Sequence, residues 1–169
     1  MSAIEVAVDL VKPNVLRLCY NTIGETRGLR IPPLSSLTRQ DGLWQHTCFE
    51  VFVKGSTEAY CEFNISPSRE WAAYCFDAYR SGMRPAESSA APRIQVESVQ
   101  GDFELEAIID LNGLAEFDPG GPMQIGLAAV IEDSTGSLSY WALSHPPGKA
   151  DFHHRDGFVL ALKDNCAQE

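Results

Sequence analysis

Two acids and an amide stand at alternate positions on what read as neighbouring strands: Glu50 in the run 48–54, and Glu62 and Asn64 in the run 59–66. Side chains alternate between the two faces of a strand. One parity collects Phe49, Val51 and Val53, then Cys61, Phe63 and Ile65, an apolar set that belongs in a core. The other collects Cys48, Glu50 and Phe52, then Tyr60, Glu62 and Asn64, where polar groups stand among aromatic rings. Flat rings with a few placed polar groups suit a small ligand that has both an apolar face and hydrogen-bonding groups. The plainer alternative is cross-strand aromatic packing with ordinary surface acids. Paired carboxylates also admit hydrolysis of a glycosidic bond, or they engage a base such as Arg80 or a ligand hydroxyl.

Other residue types predict less. Of the four histidines, His46, His145, His153 and His154, the last two are adjacent. Neighbours on an extended chain point to opposite faces, so a shared metal ion is not expected and hydrogen-bonding roles are. Cys48 lies two residues from His46, which does not by itself make a nucleophile and its base. The chain has no glycine-rich phosphate loop, G-x-S-x-G elbow or H-E-x-x-H pattern. No cofactor is expected. A haem would need two axial ligands, for which Met83 with His145 or His153 is the available set.

The elements that must carry these residues are strands. Residues 4–11 and 15–20 alternate across Lys12-Pro13-Asn14 and read as a hairpin. Residues 23–40 read as a loop with a short extended piece at 29–31. Runs 48–54 and 59–66 form a hairpin across Gly55-Ser56-Thr57-Glu58, and 71–76 is a third strand after Ser66-Pro67-Ser68. A surface loop at 81–92 leads to a hairpin of 93–99 with 103–111. Residues 112–116 could hold one helical turn. The apolar run 123–132 suits a central strand, followed by 138–144, a polar ring-bearing loop at 145–154, and a last strand at 158–163. About nine or ten short strands with no helix of ordinary length predict one all-β domain over 1–169, an antiparallel β-sandwich of jelly-roll or immunoglobulin-like type. Trp71, Tyr74, Tyr79 and Trp141 are expected as core or rim residues.

Composition narrows the function classes. The 169 residues include 13 basic and 23 acidic side chains, a net charge of −10, which offers no footprint for nucleic acid and none for an anionic membrane surface. No apolar run reaches the length of a membrane helix. The first ten residues lack a basic region and carry two acids, so no secretory leader is expected. The five cysteines, Cys19, Cys48, Cys61, Cys75 and Cys166, are odd in number with no C-x-x-C pair. Five reduced thiols and a cytoplasmic location are the expectation.

An ordered series carries a family likeness: Trp44, then Glu50-Val51-Phe52, Glu62-Phe63-Asn64, Ile125-Gly126-Leu127, Tyr140-Trp141, and Phe152 with Phe158. From about residue 43 to 162 it resembles the family 9 carbohydrate-binding modules and the wider DOMON-like superfamily of sugar- and haem-binding β-sandwiches. The resemblance implies a non-catalytic module that holds a small saccharide or polyol between two rings, here Trp44 and Phe152. It further implies Glu50 and Asn64 as polar contacts, with Lys149 where the family has an asparagine. The chain departs from the pattern at three positions: Glu62 stands for an arginine, Val130 for a glutamine and Phe152 for a tryptophan. The expected site is therefore Trp44, Glu50, Glu62, Asn64, Lys149 and Phe152, with no catalytic residue, no metal and an unknown protein partner.

Overall fold

Alternation and turn chemistry together dictate the architecture in the computed structural model, which describes residues 1–87, 89–99 and 102–162. The opening hairpin, β1 (Ala3–Lys12) and β2 (Val15–Ile23), turns at Asn14, whose φ of 56° is the left-handed conformation asparagine tolerates well. Next come β3 (Cys48–Lys54), β4 (Tyr60–Ile65), β5 (Trp71–Phe76), the two-residue β6 (Arg84–Pro85), β7 (Arg93–Val99), β8 (Asp102–Asp110), β9 (Met123–Glu132), β10 (Leu138–Ala142) and β11 (Leu160–Leu162). All pairings between these strands are antiparallel. One sheet runs β1-β2-β8-β7; the other runs β10-β9-β3-β4-β5-β6, with β11 also on β9. This is the antiparallel sandwich the strand pattern predicts. The turn between β7 and β8 lies outside the described residues. Residues 112–116 form successive turns rather than a helix, with Leu114 N–H on the Leu111 carbonyl and Phe117 N–H on that of Leu114, and both Leu114 and Phe117 face the core. No helix among the described residues is long and apolar enough to cross a membrane.

One hydrophobic cluster fills the space between the sheets. Leu16, Leu18, Tyr20, Leu105 and Ile109 from the smaller sheet meet Phe49, Val51, Phe63, Ile65 and Ile125 from the larger. Phe49 stacks on Phe103 across the sandwich at 5.8 Å. The residues assigned to the core by parity, Phe49, Val51, Val53, Cys61, Phe63 and Ile65, are all buried.

The larger sheet has a second buried face. Every residue of β4 and β5 is buried, and so is every residue of β3 before Lys54. On the outer side, Cys48, Phe52, Tyr60, Ala72, Tyr74, Phe76 and Ala128 form a separate cluster covered by Leu43, Ala142, Phe152 and Phe158. A sandwich needs only its inner faces covered. Here two loops, residues 41–47 and 143–158, lie over the outside of the sheet, and the site is built under them.

Cysteine chemistry departs from expectation. Cys61 and Cys75 are joined in a disulfide, while Cys19 and Cys48 are free and Cys166 lies outside the described residues. The register of β4 on β5 sets Ile65 opposite Trp71 and hence Cys61 directly opposite Cys75. Their Cα atoms are 4.1 Å apart with both side chains in the core. The pairing was readable once the 66–70 turn was placed, because it follows from counting back equally along both strands. The bridge withdraws cysteine content as an argument for a reducing cytoplasm, since disulfides persist mainly in oxidising compartments.

Candidate functional site

The β3–β4 register places Glu50 opposite Asn64 and Phe52 opposite Glu62. The rows continue outward: Ala128 and Ala72 flank the Glu50–Asn64 pair, and Tyr74 lies beyond Glu62. Small residues at both ends of the first row leave space above it, and larger rings rise around that space. The resulting cavity has a volume of about 580 Å³, within the range of small-molecule sites. Trp44, Glu50, Glu62, Lys149 and Phe152 all line it. Asn64 does not; it is 1% exposed and sits behind Glu62, donating from Nδ2 to Glu62 Oε1 at 2.7 Å. Val130, at the family's glutamine position, also lines the cavity, so a hydrogen-bonding position has become an apolar wall.

Separate parts of the chain hold the two expected rings. Trp44 belongs to a 3₁₀ turn, residues Leu43–Gln45, entered through Gly42 at a φ of 79°. Leu43 is buried in the outer cluster, and Trp44 projects 53% exposed. Glu132 fastens the flanking loop to β9. Its carboxylate accepts from Arg30 Nη1 at 2.8 Å and lies 2.8 Å from His46 Nδ1, and Thr47 Oγ1 donates to the Arg30 carbonyl. The hydrogen bond from His46 is the main reason the Glu132 carboxyl titrates below its ordinary range, followed by Arg30. His46 is thus a loop anchor, and the Cys48 thiol turns away toward Asn64 Oδ1. Phe152 packs beside Tyr140 and His145, with ring centroids 6.2 and 6.0 Å away.

Asp151 ties the Phe152 loop across to the segment after β5. It accepts from Arg80 Nη2 at 2.7 Å, from the Tyr79 hydroxyl and from the His153 amide. This alters one expectation: Arg80 pairs with Asp151, not Glu62. Glu62 is held instead by Asn64, and its Oε2 lies 3.6 Å from His153 Nε2, beyond a hydrogen bond.

His153, expected in a hydrogen-bonding role and outside the expected site, belongs to the cavity wall. Its ring stands edge-on to Phe52 and Phe76 and lies 2.8 Å from the Tyr60 hydroxyl through Nδ1. That hydroxyl accepts from the Arg80 amide and so has its own proton to give, which makes Nδ1 the acceptor and leaves the proton on Nε2, facing Glu62. Burial, then the positive charge of Arg80, lowers the His153 pKa from 6.5 to about 4. The folded protein therefore resists a proton that the unfolded chain accepts. The ring's contribution to stability is complete above pH 6.5 and is lost as pH falls from there toward 4. An NMR titration of the histidine rings should find His153 neutral down to about pH 4; an ordinary midpoint would show the ring open to water. The sequence pointed to a hydrogen-bonding role for this histidine; its place one residue after Phe152 was the signal that it belongs to the site.

The two acids differ. Burial raises the Glu62 pKa, while the Asn64 hydrogen bond and the Arg80 charge oppose the rise. Glu50, 3% exposed, is pushed well above the ordinary range by burial and then by the negative charge of Glu62. Tyr74, also on the cavity, is raised by burial and by its hydrogen bond to Asp41. A second cavity, of about 550 Å³, shares His153 and is lined by Lys54, Tyr60, Tyr79, His154 and Phe158 among others.

No protein-family model matches the chain, and no curated protein matches it. The likeness to family 9 carbohydrate-binding modules therefore stands on the residues quoted for it.

Proposed function

We propose that this protein binds a small saccharide or similar polyol, without transforming it, in the cavity shared by Trp44 and Phe152. The observation that carries the reading is one cavity of about 580 Å³ in which exposed rings and buried carboxyls stand together. A pyranose has an apolar face of C–H groups and a girdle of hydroxyls. Trp44, Tyr140 and Phe152 offer surface to the first, and Glu50 and Glu62 offer acceptors to the second. The resemblance to DOMON-like sugar-binding modules supports the same ligand class, with Lys149 at the rim as an added donor.

Trp44 gives the direct test. It is half exposed, so its removal should leave the fold and melting temperature almost unchanged. Stacking anchors dominate such sites, so Trp44→Ala should weaken saccharide binding by about 2 kcal/mol or more, roughly 30-fold. Calorimetric titration of a panel of mono- and disaccharides into both proteins would measure this. Wild-type protein that binds none of them defeats the reading.

A second reading, glycoside hydrolysis, is favoured by the unequal environments of Glu50 and Glu62. A buried acid that keeps its proton beside a better solvated, hydrogen-bonded one is the arrangement acid–base chemistry uses. It predicts turnover of an aryl glycoside that Glu50→Gln abolishes. A haem would use Met83 with His153, which both line the cavity, or with His145, which packs beside Phe152; Tyr60 engages His153 Nδ1, so Nε2, 3.6 Å from Glu62 Oε2, would be the nitrogen left for an axial bond.

A further inference from the structure

The unmatched group of the cavity is the Glu50 carboxyl. It is 3% exposed, lies on the cavity wall, and receives no hydrogen bond from any described residue. Glu62, diagonal to it on the β3–β4 ladder, has Asn64 as a donor and feels the charge of Arg80. Glu50 has neither. Burial and the Glu62 charge both act on it in the same direction, and no cation among the described residues counters them. An acid held this way costs free energy unless something enters to pair with it.

The surroundings say what would pair best. A hydroxyl brings one donor, whereas a protonated amine brings three donors, no acceptor and a positive charge. Two carboxyls side by side, with one oxygen already taken by Asn64, present acceptors in that excess. A bound ammonium would also favour the ionised form of Glu50, its proton passing to solvent, and offset the repulsion from Glu62 that otherwise disfavours that form. Ring faces attract cations, and Trp44, Tyr74, Phe76, Tyr140 and Phe152 all border the cavity. Of the cavity's own cations, Arg80 is bound to Asp151 and its charge acts on Glu62, while Lys149 is exposed.

We propose that the cavity selects an amino sugar, or a polyol of similar size bearing a protonated amine, with its ammonium seated against Glu50 and Glu62 and its body against the rings. This rests on the saccharide-binding reading above and names the ligand class within it.

The test is calorimetric titration of the whole chain at pH 6 with three matched pairs: glucosamine and glucose, galactosamine and galactose, mannosamine and mannose. For at least one pair the amino sugar should bind about tenfold or more tighter than its neutral partner, the scale expected for a desolvated charge pair. N-acetylation of that sugar, which removes the charge and keeps the nitrogen, should erase the advantage. Glu50→Gln, which keeps the shape and removes the charge, should cut the advantage to less than about threefold, with its fold checked by circular dichroism. Neutral sugars binding as tightly as their amino partners would overturn the inference and leave the saccharide reading standing. An advantage that survives Glu50→Gln would overturn the assignment to Glu50. Binding of none of the six sugars would overturn both. Should Glu50→Gln not fold, the wild-type pairs and the N-acetylated sugar decide alone.

Discussion

Replacing Phe63 with alanine should lower the unfolding free energy by about 3–5 kcal/mol. Phe63 is 1% exposed at the middle of β4, with Val51 opposite it on β3 and Ala73 opposite it on β5. Its ring lies among Phe49, Ile65, Leu105 and Ile125 in the cluster between the sheets. Truncation removes the ring's transfer free energy and leaves a cavity, because strands paired on both sides cannot move inward to fill it. Urea unfolding followed by tryptophan fluorescence and circular dichroism should show a lower midpoint with an unchanged slope. A midpoint within about 1 kcal/mol of wild type, far below the usual cost of such a truncation, would mean that the ring does not lie between the sheets.

Removing the Cys61–Cys75 bridge should cost nearly as much. The cysteines are 14 positions apart, and a loop of about 15 residues closed by a disulfide restricts the unfolded chain by roughly 3 kcal/mol. Alanine at both positions should therefore destabilise the protein by about 3 kcal/mol, together with some loss of packing at two core sites. The chemical check is independent of stability. Thiol titration of the denatured, unreduced protein should find two fewer thiols than titration after reduction. Equal counts would show both cysteines unbridged, and the double alanine variant would then lose only packing.

Either change also tests how the cavity is supported. Phe63 and Cys61 face the core, whereas Glu62 lines the cavity and Asn64, behind it, holds its carboxylate. A strand that shifts to fill a core void carries its outer side chains with it. On the saccharide-binding proposal, the affinity of folded Phe63→Ala should accordingly fall more than that of a substitution of equal energetic cost in β1 or β7, which carry no residue of this cavity.

How much of this was legible without coordinates can be judged residue by residue. Alternation alone assigned Phe49, Val51 and Val53 to one side of β3 and Glu50 to the other, since a strand has only two faces and side chains alternate between them. The turn residues Lys12-Pro13-Asn14 and Gly55-Ser56-Thr57-Glu58 marked where strands reverse. From these the all-β sandwich and its core followed. The same parity put Glu50, Glu62 and Asn64 on one face, and the structure brings Glu50 and Glu62 to a common cavity with Asn64 behind them.

Long-range placement was beyond any local pattern. Nothing near Phe152 states that its loop folds over the outside of β3 and β4; that depends on Asp151 meeting Arg80 and Tyr79, some 70 residues earlier in the chain. His153 becomes a neutral, buried ring only because this crossing sets it beside Tyr60, Phe52 and Phe76. Arg80 is drawn to Asp151 rather than Glu62 for the same reason. The isolation of Glu50 is likewise a tertiary fact. Local sequence can place an acid on a face, but whether a donor reaches it depends on every element packed above that face. Here the loops bring rings to the cavity that Glu50 lines and, among the described residues, no hydrogen bond to its carboxyl; hydrogen bonds and burial are properties of that packing rather than of the strand.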